Sequence, residues 1–266
     1  MNVRDPADAL RIVAWNIRAG GGRRADAIVA QLARWRPDAV ALSEFRATPP
    51  SGAIAEAMRE LGLVYQRTTA DPRDPRTNAL LVAARWPLRR VGVRRAPVDR
   101  HRWLLTRVAA PAEAGGAFAL GAMHIPNYAT GRKLPFLDAV HASVRAWRGG
   151  PAVLVGDTNT GRMGVDEETA VFDRRHHDWM DAMHDRWPDA LRHLHGDETR
   201  VFTWYSPNGG NGFRLDEAFV APGMLPRLLA VRHEWGAASG EAAVTVARRD
   251  ALSDHAALIL DFATAP

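Results

Sequence analysis

The chain contains no cysteine, and Lys133 is its only lysine. Without cysteine there are no disulfides, thiolate metal ligands or cysteine nucleophiles, so any catalysis must use His, Asp, Glu and Asn side chains. Any bound metal should therefore be a hard cation that prefers oxygen ligands. Because lysine is so rare, nearly all of the positive charge is carried by arginine.

Long hydrophobic runs are also absent. No apolar stretch approaches the roughly 18 to 20 residues that span a bilayer, and the N-terminal sequence M-N-V-R-D-P-A-D lacks the apolar middle of a secretion signal. We therefore expect a soluble, cytoplasmic monomer without membrane insertion. With 266 residues, 47% of them hydrophobic, the chain can bury a sizeable core. No linker or low-complexity stretch interrupts it, so we predict a single domain over residues 1–266.

The formal charge of +5 and a pI near 10.5 fit a polyanionic partner such as nucleic acid. A genome's base composition can produce the same bias towards arginine, and the sequence leaves both explanations open. The arginine-rich residues 85–102 illustrate the ambiguity. They are typical of a hairpin or edge strand, which is either simply solvated or contacts phosphates.

Polar side chains follow a predicted central strand within residues 151–160, P-A-V-L-V-G-D-T-N-T. The apolar run ends at Gly156 and is followed by Asp157 and Asn159. Because alternate residues of a strand share a face, these two side chains can engage one ligand together. Gly-Asp-x-Asn is also typical of a tight turn, since Asp and Asn bond to their own backbone.

The same pattern recurs at other predicted strand ends, which carry Asn16, Glu44, His124, Asp216, and Asp254 with His255. Glu44 directly follows an apolar run, where a charge is costly unless it has a partner. Independent turns would not need carboxylates, amides and histidines distributed in this way, so we predict one polar site at the strand ends. A second cluster, His176, His177 and His184, lacks regular metal-ligand spacing, and we interpret it as surface or cap histidines.

Helical spacing and apolar runs alternate along the chain. Helices are predicted at 23–35, 52–61, 132–147 and within 166–187, and strands at 10–17, 39–43, 78–84, 103–109, 118–123, 201–205, 213–220, 228–234 and after 255. Most connections are too short for helical crossovers. Two packed, mainly antiparallel sheets flanked by helices fit this order better than a doubly wound parallel sheet.

The polar motifs occur in a specific order: A-W-N, S-E-F-R, H-I-P-N, G-D-T-N, F-T-W-Y followed by F-R-L-D, and S-D-H. Taken together, they resemble the metal-dependent endonuclease/exonuclease/phosphatase superfamily, which includes exonuclease III-like apurinic endonucleases and DNase I. The resemblance spans nearly the whole chain and is greatest to the exonuclease III branch. It implies an α/β fold, a four-layered sandwich of two sheets between helices.

The resemblance also implies a metal site. Glu44 would be the principal ligand of Mg²⁺, with Mn²⁺ as a substitute, helped by Asn16 and Asp254. This set suits a hard cation that keeps several waters and uses one or two carboxylates.

The implied catalytic groups lie on the other strand ends. Asp157, aided by Asn159, would orient and deprotonate the attacking water. His255 would bind the scissile phosphate, with its imidazole held by Asp254 or Asp216. Such groups suit a phosphodiester, whose negative charge must be offset while a carboxylate prepares the nucleophile.

Two motifs depart from the exonuclease III pattern. His124 replaces a tyrosine, as in DNase I and the phosphatases, and would either protonate the leaving oxygen or contact the phosphate. Ser43-Glu44-Phe45-Arg46 replaces Gln-Glu-x-Lys. Substrate contacts are expected from Asn127, Arg214 and Trp204, although an aromatic strand pair such as Trp204-Tyr205 equally suits a core.

Three functions follow as hypotheses. The first is a Mg²⁺-dependent phosphodiesterase that acts on DNA as an endonuclease or 3′ exonuclease. The second is the same scaffold hydrolysing a small phosphoester, such as a phosphoinositide, a phospholipid head group or a nucleotide. The third, a non-catalytic nucleic-acid binder, is disfavoured because a pure binder has no use for buried unpaired carboxylates.

Overall fold

The computed structural model describes residues 9–236 and 251–264, so the N-terminal segment considered above for a secretion signal lies outside the described residues. The helices are α1 (Ala25–Trp35), α2 (Pro49–Glu60), α3 (Lys133–Ala146), α4 (Arg174–Arg186) and α5 (Ala190–His195). The strands are β1 (Ala9–Asn16), β2 (Ala39–Phe45), β3 (Tyr65–Thr68), β4 (Ala79–Ala84), β5 (Leu88–Arg90), β6 (Trp103–Val108), β7 (Phe118–His124), β8 (Ala152–Asp157), β9 (Trp204–Tyr205), β10 (Gly212–Phe213), β11 (Asp216–Val220), β12 (Leu228–Glu234) and β13 (Ala257–Ala263).

Two large sheets form the centre of the fold. One has six strands in the order β12-β13-β1-β2-β4-β3, and the other has five in the order β11-β8-β7-β6-β5. Among the described strand pairs within these two sheets, only β1–β2 and β7–β8 are parallel. The prediction of two mainly antiparallel sheets is therefore confirmed.

Apolar side chains fill three interfaces between four layers. Ile12 and Val82 of the first sheet pack against Leu120 and Val155 of the second. The outer face of the six-stranded sheet is covered by α1 and α2, whose inward residues include Ile28, Leu32, Ile54 and Met58. The outer face of the five-stranded sheet is covered by α3 and α4, whose inward residues include Phe136, Val140, Trp179 and Met183. This is the predicted four-layered α/β sandwich.

Within the described residues, no helix combines the length and apolar character needed to cross a bilayer.

Strand pairing brings the polar strand ends to one edge of the sandwich. In the six-stranded sheet, Asn16 at the end of β1 lies beside Ser43 of β2. In the five-stranded sheet, Asp157 at the end of β8 lies between His124 of β7 and Asp216 at the start of β11. Because the two sheets pack face to face, their polar ends converge.

Several elements differ from the sequence-based prediction. The strand predicted at 201–205 is limited to β9, and the strand predicted at 213–220 is split into β10 and β11. The short elements β3 and α5 were not predicted, because β3 is largely exposed and polar and α5 is too short for a helical period. The arginine-rich segment does contribute an edge strand, β5.

Arg214, which interrupts β10 and β11, belongs to a buried ion cluster. Its guanidinium is 1% exposed and donates to Asp166 over 2.7 Å and to Asp189 over 2.6 Å. Arg192 also donates to Asp166. The expectation that Arg214 contacts substrate is therefore wrong for this structure. Removing one member of such a buried cluster leaves an uncompensated charge, which is strongly destabilising.

With Glu217, the cluster contains three carboxyl groups but only two guanidinium groups, those of Arg192 and Arg214. Its Oε1 lies 3.1 Å from Nη2 of Arg214, yet neither oxygen accepts a hydrogen bond of acceptable geometry. Burial raises the pKa of Glu217 well above its ordinary value, and Arg214 only partly opposes this. We conclude that Glu217 keeps its proton and that the cluster is thereby neutral.

Replacing Glu217 with Gln should consequently make the protein more stable at high pH. The folded wild type retains a proton that the unfolded chain releases above about pH 4.3, so its unfolding free energy falls with rising pH by up to about 1.4 kcal/mol per unit. The wild type continues to lose stability up to the pKa of Glu217 in the folded protein, whereas the variant has no such proton to release and does not show this loss. Thermal melts at pH 5 and pH 8 measure the difference, which should grow at pH 8. A Glu217→Gln variant less stable than the wild type at both pH values would mean that Glu217 is ionised in the folded protein.

Candidate active site

Asp157 is the centre of the polar strand ends. It is 2% exposed, and its Oδ2 accepts a hydrogen bond from Nδ2 of Asn16 over 3.0 Å. The Nε2 atoms of His124 and His255 lie 3.5 and 3.7 Å from the same oxygen. Burial raises the pKa of Asp157 to about 7, although the charge of His255 opposes the shift. A carboxyl group with a pKa near neutrality is suited to accept a proton at physiological pH.

His255 is held in place by Asp216. The Nδ1 atom of the imidazole lies 2.9 Å from Oδ2 of Asp216, and the indole of Trp15 donates to the backbone carbonyl of His255 over 3.0 Å. Burial alone would lower the pKa of His255, but Asp216 and Asp157 outweigh it and raise the pKa to about 10. The imidazole is therefore a cation at neutral pH. Of the two carboxylates expected to hold it, Asp216 makes the contact.

His124 is a neutral counterpart on the other side of Asp157. It is 5% exposed, and its Nδ1 is buried without a hydrogen-bond partner. Burial, followed by the charges of Arg102 and His255, lowers the pKa of His124 well below its ordinary value. One carboxylate thus lies between a cationic and a neutral imidazole.

The backbone after β8 fixes Asn159 beside this centre. A Cβ atom on Gly156 would lie 2.0 Å from the carbonyl oxygen of Met123, and Gly156 has a φ of 141°, so glycine is required where β8 closely approaches β7. Asn159, with a φ of 48°, donates its backbone N–H to Asp157 over 2.9 Å and its side-chain amide to the carbonyl of Ile125 over 2.8 Å. The turn expected for Gly-Asp-x-Asn is therefore present here, and it holds Asn159 next to Asp157.

Lys133 is a site residue that the strand-end reasoning missed. Its Nζ donates to the carbonyl of Asn159 and lies 5.7 Å from the centre of the Tyr128 ring. Burial lowers the pKa of Lys133 to about 8. The available signal was its uniqueness, because a single lysine among 35 basic Lys and Arg residues suggests a position where arginine is not equivalent.

Glu44 lies at a bulge on the other sheet. The pairing of β2 with β4 shifts between Ser43 and Phe45, and Glu44 has a φ of 57°. Its Oε2 accepts the backbone N–H of Ala19 over 2.7 Å. The bulge thus turns the carboxylate towards the loop that follows β1, the strand that ends at Asn16.

The oxygen donors around this loop match a hard cation. Glu44 and the exposed Asp254 both interact with the charge of Arg24, and Asn16 adds an amide next to Asp157. Two carboxylates and an amide are the donors that Mg²⁺ prefers when it retains several waters. Among the residues that the structure describes, no group of three or more His, Asp or Glu side chains is arranged to hold a metal ion by itself. The fit of Glu44, Asn16 and Asp254 to a partly hydrated hard cation rests on their oxygen donors.

An aromatic cavity of about 400 Å³ opens beside Asn159. Its lining comprises Asn127, Tyr128, Lys133, Asn159, Val171, Phe172, Asp173, His176, Trp204, Phe213 and Leu215. The Trp204 and Phe213 rings lie 5.8 Å apart, and those of Phe172 and Phe213 lie 5.6 Å apart. Trp204 also lies 6.3 Å from the His255 ring. Trp204 packs on Phe213 and still lines a cavity, so a role in the core does not exclude a contact with substrate.

A cationic cavity of about 680 Å³ also adjoins the centre. It is lined by Arg46, Asp74, Arg76, Thr77, Asn78, Val98, Asp99, His101, Arg102 and Arg132. Arg102 donates to the backbone carbonyl of His124 over 3.3 Å and interacts with the charges of Asp157 and Glu44. Part of the arginine-rich segment thus reaches the site.

The structure brings together most of the site residues predicted from the sequence. The contacts described above join Asn16, His124, Asp157, Asn159, Asp216 and His255. Glu44 and Asp254 border this group, and Asn127 and Trp204 line the aromatic cavity. Arg214 is the exception. Of the histidines interpreted as surface or cap residues, His176 closes a capping box with Asp173 at the start of α4.

Comparison with known proteins identifies relatives of this fold. The profile of the Endonuclease/Exonuclease/phosphatase family matches residues 13–255. A 3′ phosphatase from Neisseria, solved with a product DNA hairpin, is 21% identical with a TM-score of 0.71, over 96% of this chain and 99% of that one. An AP endonuclease from Archaeoglobus fulgidus is 17% identical with a TM-score of 0.72, over 95% of this chain and 99% of that one.

A 3′-5′ exonuclease from Neisseria meningitidis is 20% identical with a TM-score of 0.70, over 95% of this chain and 99% of that one. At identities this low, the structural similarity establishes a shared fold and nothing more specific. No curated protein sequence matches this chain.

Proposed function

The chain belongs to the endonuclease/exonuclease/phosphatase family, and from that premise we propose that this phosphoric ester hydrolase cleaves phosphodiester bonds of DNA with the help of Mg²⁺. It would act as an endonuclease or 3′ exonuclease in DNA repair. The observation that carries the proposal is the pair of cavities, one aromatic and one cationic, that adjoin the Asp157 centre through Asn159 and Arg102.

The two cavities favour a polynucleotide because a phosphodiester carries a substituent on each side of phosphorus. The aromatic cavity suits a sugar or base, which stacks on rings such as Trp204. The cationic cavity, with four arginines and two aspartates, suits the next phosphates of a backbone. A small phosphoester would occupy only one of them.

Water attack is assigned to Asp157. Its raised pKa makes it a proton acceptor near neutrality, and Asn159 and Asn16 fix the orientation of the carboxylate. The cationic His255, held by Asp216, would stabilise the negative charge that develops on the phosphoryl oxygens. The neutral His124 has an unpartnered Nδ1 and would contact the phosphate or the leaving oxygen.

Glu44, Asn16 and Asp254 would hold the cation. When bound, Mg²⁺, or Mn²⁺ in its place, supplies positive charge that polarises the phosphoryl oxygens and offsets the charge of the leaving group.

Replacing Glu44 with Gln should raise the Mg²⁺ concentration needed for half-maximal activity. The carboxylate contributes a full negative charge to the cation, whereas an amide contributes only a dipole, so we expect a shift of at least about tenfold, comparable to losses seen even for outer-shell partners. A Mg²⁺ titration of cleavage rate measures it. Glu56→Gln, an exposed carboxylate on α2, is the matched control. An unchanged Mg²⁺ requirement would remove Glu44 from the metal site.

The second candidate function is hydrolysis of a small phosphoester. It is favoured by His124 and by the volume of the aromatic cavity, which would hold a head group or a nucleotide.

A substrate panel distinguishes the two functions. The purified protein with Mg²⁺ or Mn²⁺ is given duplex DNA with one abasic site, nicked duplex with a 3′ phosphate, inositol phosphates and mononucleotides. We expect kcat/KM to be highest for DNA and to fall steeply with added salt. The highest kcat/KM on a small phosphoester, with weak salt dependence, would establish the second function instead. Lack of EDTA-sensitive turnover on every substrate would contradict both.

A further inference from the structure

Three cavities follow one another along α3. The aromatic cavity includes Lys133 at the start of the helix. A second cavity of about 460 Å³ lies between α3 and α4 and includes Leu137 and His141. A third, of about 740 Å³, includes His141 and Arg145. Because Lys133, Leu137, His141 and Arg145 are spaced by four residues, they lie on one face of the helix.

The third cavity, here called the arginine groove, is lined by Arg94, Arg95, Asp138, His141, Ala142, Arg145, Ala146 and Arg148. Ala142 and Ala146 are small residues that leave room for a ligand to approach the helix closely. The four arginines are exposed and surround this surface. The groove is therefore concave and lined by guanidinium groups.

Carboxylates of the described residues do not neutralise the positive charge of the groove. Within the described parts of the chain, no carboxylate pairs with any of its four arginines, whereas Arg85, Arg162 and Arg175 each pair with an aspartate. The only acidic residue in the lining, Asp138, is already bound by Arg175 over 2.9 Å. Like charges that converge without counter-ions are costly, and a bound anion relieves that cost.

One side of the groove is held in a fixed position. Arg148 donates to the backbone carbonyls of Arg145 and Trp147 over 2.9 and 2.7 Å. Trp147 is anchored by its indole N–H to the carbonyl of Gly150 over 2.8 Å and by edge-on contact with Trp187 at 6.3 Å between ring centres. Side chains that are already ordered lose less entropy when they bind a ligand.

We propose that the arginine groove binds the sugar–phosphate backbone of the DNA substrate at a distance from the reacting bond; this inference rests on the proposed function. Guanidinium groups suit phosphate oxygens, with which they form paired hydrogen bonds. An acidic protein is disfavoured because the groove offers no large apolar side chain and no Phe, Tyr or Trp to anchor a protein interface.

The position of the groove sets the length of DNA that reaches it. From Lys133 to Arg145 α3 rises about 18 Å, which equals about five base pairs of B-form duplex. A substrate with a short arm beyond the reacting bond ends before the groove, whereas a longer arm on the correct side enters it. The groove should therefore affect binding of long substrates only, and the chemical step not at all.

The test uses the triple variant Arg94→Gln/Arg145→Gln/Arg148→Gln. Its kinetics are measured on duplexes in which each arm in turn has 3 or 15 base pairs beyond the reacting bond. For the duplex whose long arm reaches the groove, we expect the KM of the variant to exceed that of the wild type on the order of tenfold, with kcat unchanged. The slope of log KM against log salt should decrease by up to about 2.7, or about 0.9 per lost phosphate contact. On short arms the variant should match the wild type, which also shows that it is folded.

The matched control is Arg34→Gln/Arg59→Gln/Arg67→Gln, which removes three exposed arginines on α1, α2 and β3 around the other sheet. If both triple variants change KM and the salt slope equally, the effect is one of net charge and the inference is wrong. Equal KM for the groove variant and the wild type on all arms also overturns it. Failure of the proposed function is a separate result, namely no cleavage of any duplex by the wild type.

Discussion

Replacing Asp157 with Asn is expected to lower kcat for DNA cleavage by about 10²- to 10⁴-fold, the range typical of a lost general base. The amide is nearly isosteric and still accepts the N–H of Asn159 through its oxygen. It cannot accept a proton from water, however, and its NH₂ group cannot replace the oxygen that faces Asn16, His124 and His255. Rapid-quench kinetics on an abasic duplex at saturating Mg²⁺ measure the chemical step.

The same exposed carboxylate used above, Glu56, provides the control as Glu56→Gln, which should retain wild-type kcat. Circular dichroism and thermal melts of Asp157→Asn should show an intact fold. More than about a tenth of wild-type kcat in a folded Asp157→Asn variant would show that another group accepts the proton.

The second large effect is expected at His255. Changing it to Asn should lower kcat by about 10²- to 10³-fold, as for loss of a preorganised group that stabilises transition-state charge. The Asp216→Asn variant should lose less, because the imidazole remains but is no longer held by a carboxylate 2.9 Å away. Measurement of kcat and KM for both single variants and the double variant tests this order.

The double variant shows whether Asp216 acts through His255. If it does, Asp216→Asn/His255→Asn should be no slower than His255→Asn alone, since nothing remains for Asp216 to hold. Multiplicative losses would mean that Asp216 has a role of its own. In that case the orientation of His255 would not explain its presence at the site.

Much of the candidate site could be predicted from the sequence because its residues lie where apolar strands stop. Asp157 follows the V-L-V run of β8, and His124 ends β7, so local patterns located both. Order along the chain then suggested that separate strand ends form one site. Which carboxylate holds His255 could not be predicted, because Asp254 is adjacent in sequence whereas Asp216 is 39 residues away.

Arg214 shows why part of the site was predicted incorrectly. Its partners Asp166 and Asp189 are 48 and 25 residues away and lie outside the helices and strands, where periodicity gives no information. The sequence therefore predicts a substrate contact for an arginine next to the candidate site residue Asp216, although the guanidinium is buried in the interior. The aromatic and cationic cavities could not be predicted either, since each is built from segments distant in sequence.

The arginine-rich composition has more than one consequence in the fold. Arg214 and Arg192 neutralise buried aspartates, Arg102 borders the Asp157 centre, and the arginines of the groove remain unpaired with carboxylates among the described residues. A genomic bias alone explains the number of arginines but not their separation into these groups. The salt slopes of the groove variant and its control address that separation directly.

The central claim is that Asp157 directs a water molecule onto a DNA phosphodiester. Cleavage of an abasic duplex in H₂¹⁸O with Mg²⁺, followed by mass spectrometry of the product, tests it most directly. We predict one ¹⁸O atom on the product phosphate for each bond cleaved, and no cleavage in EDTA. Strand cleavage without ¹⁸O on the phosphate would show that the bond breaks by elimination, and would contradict the account.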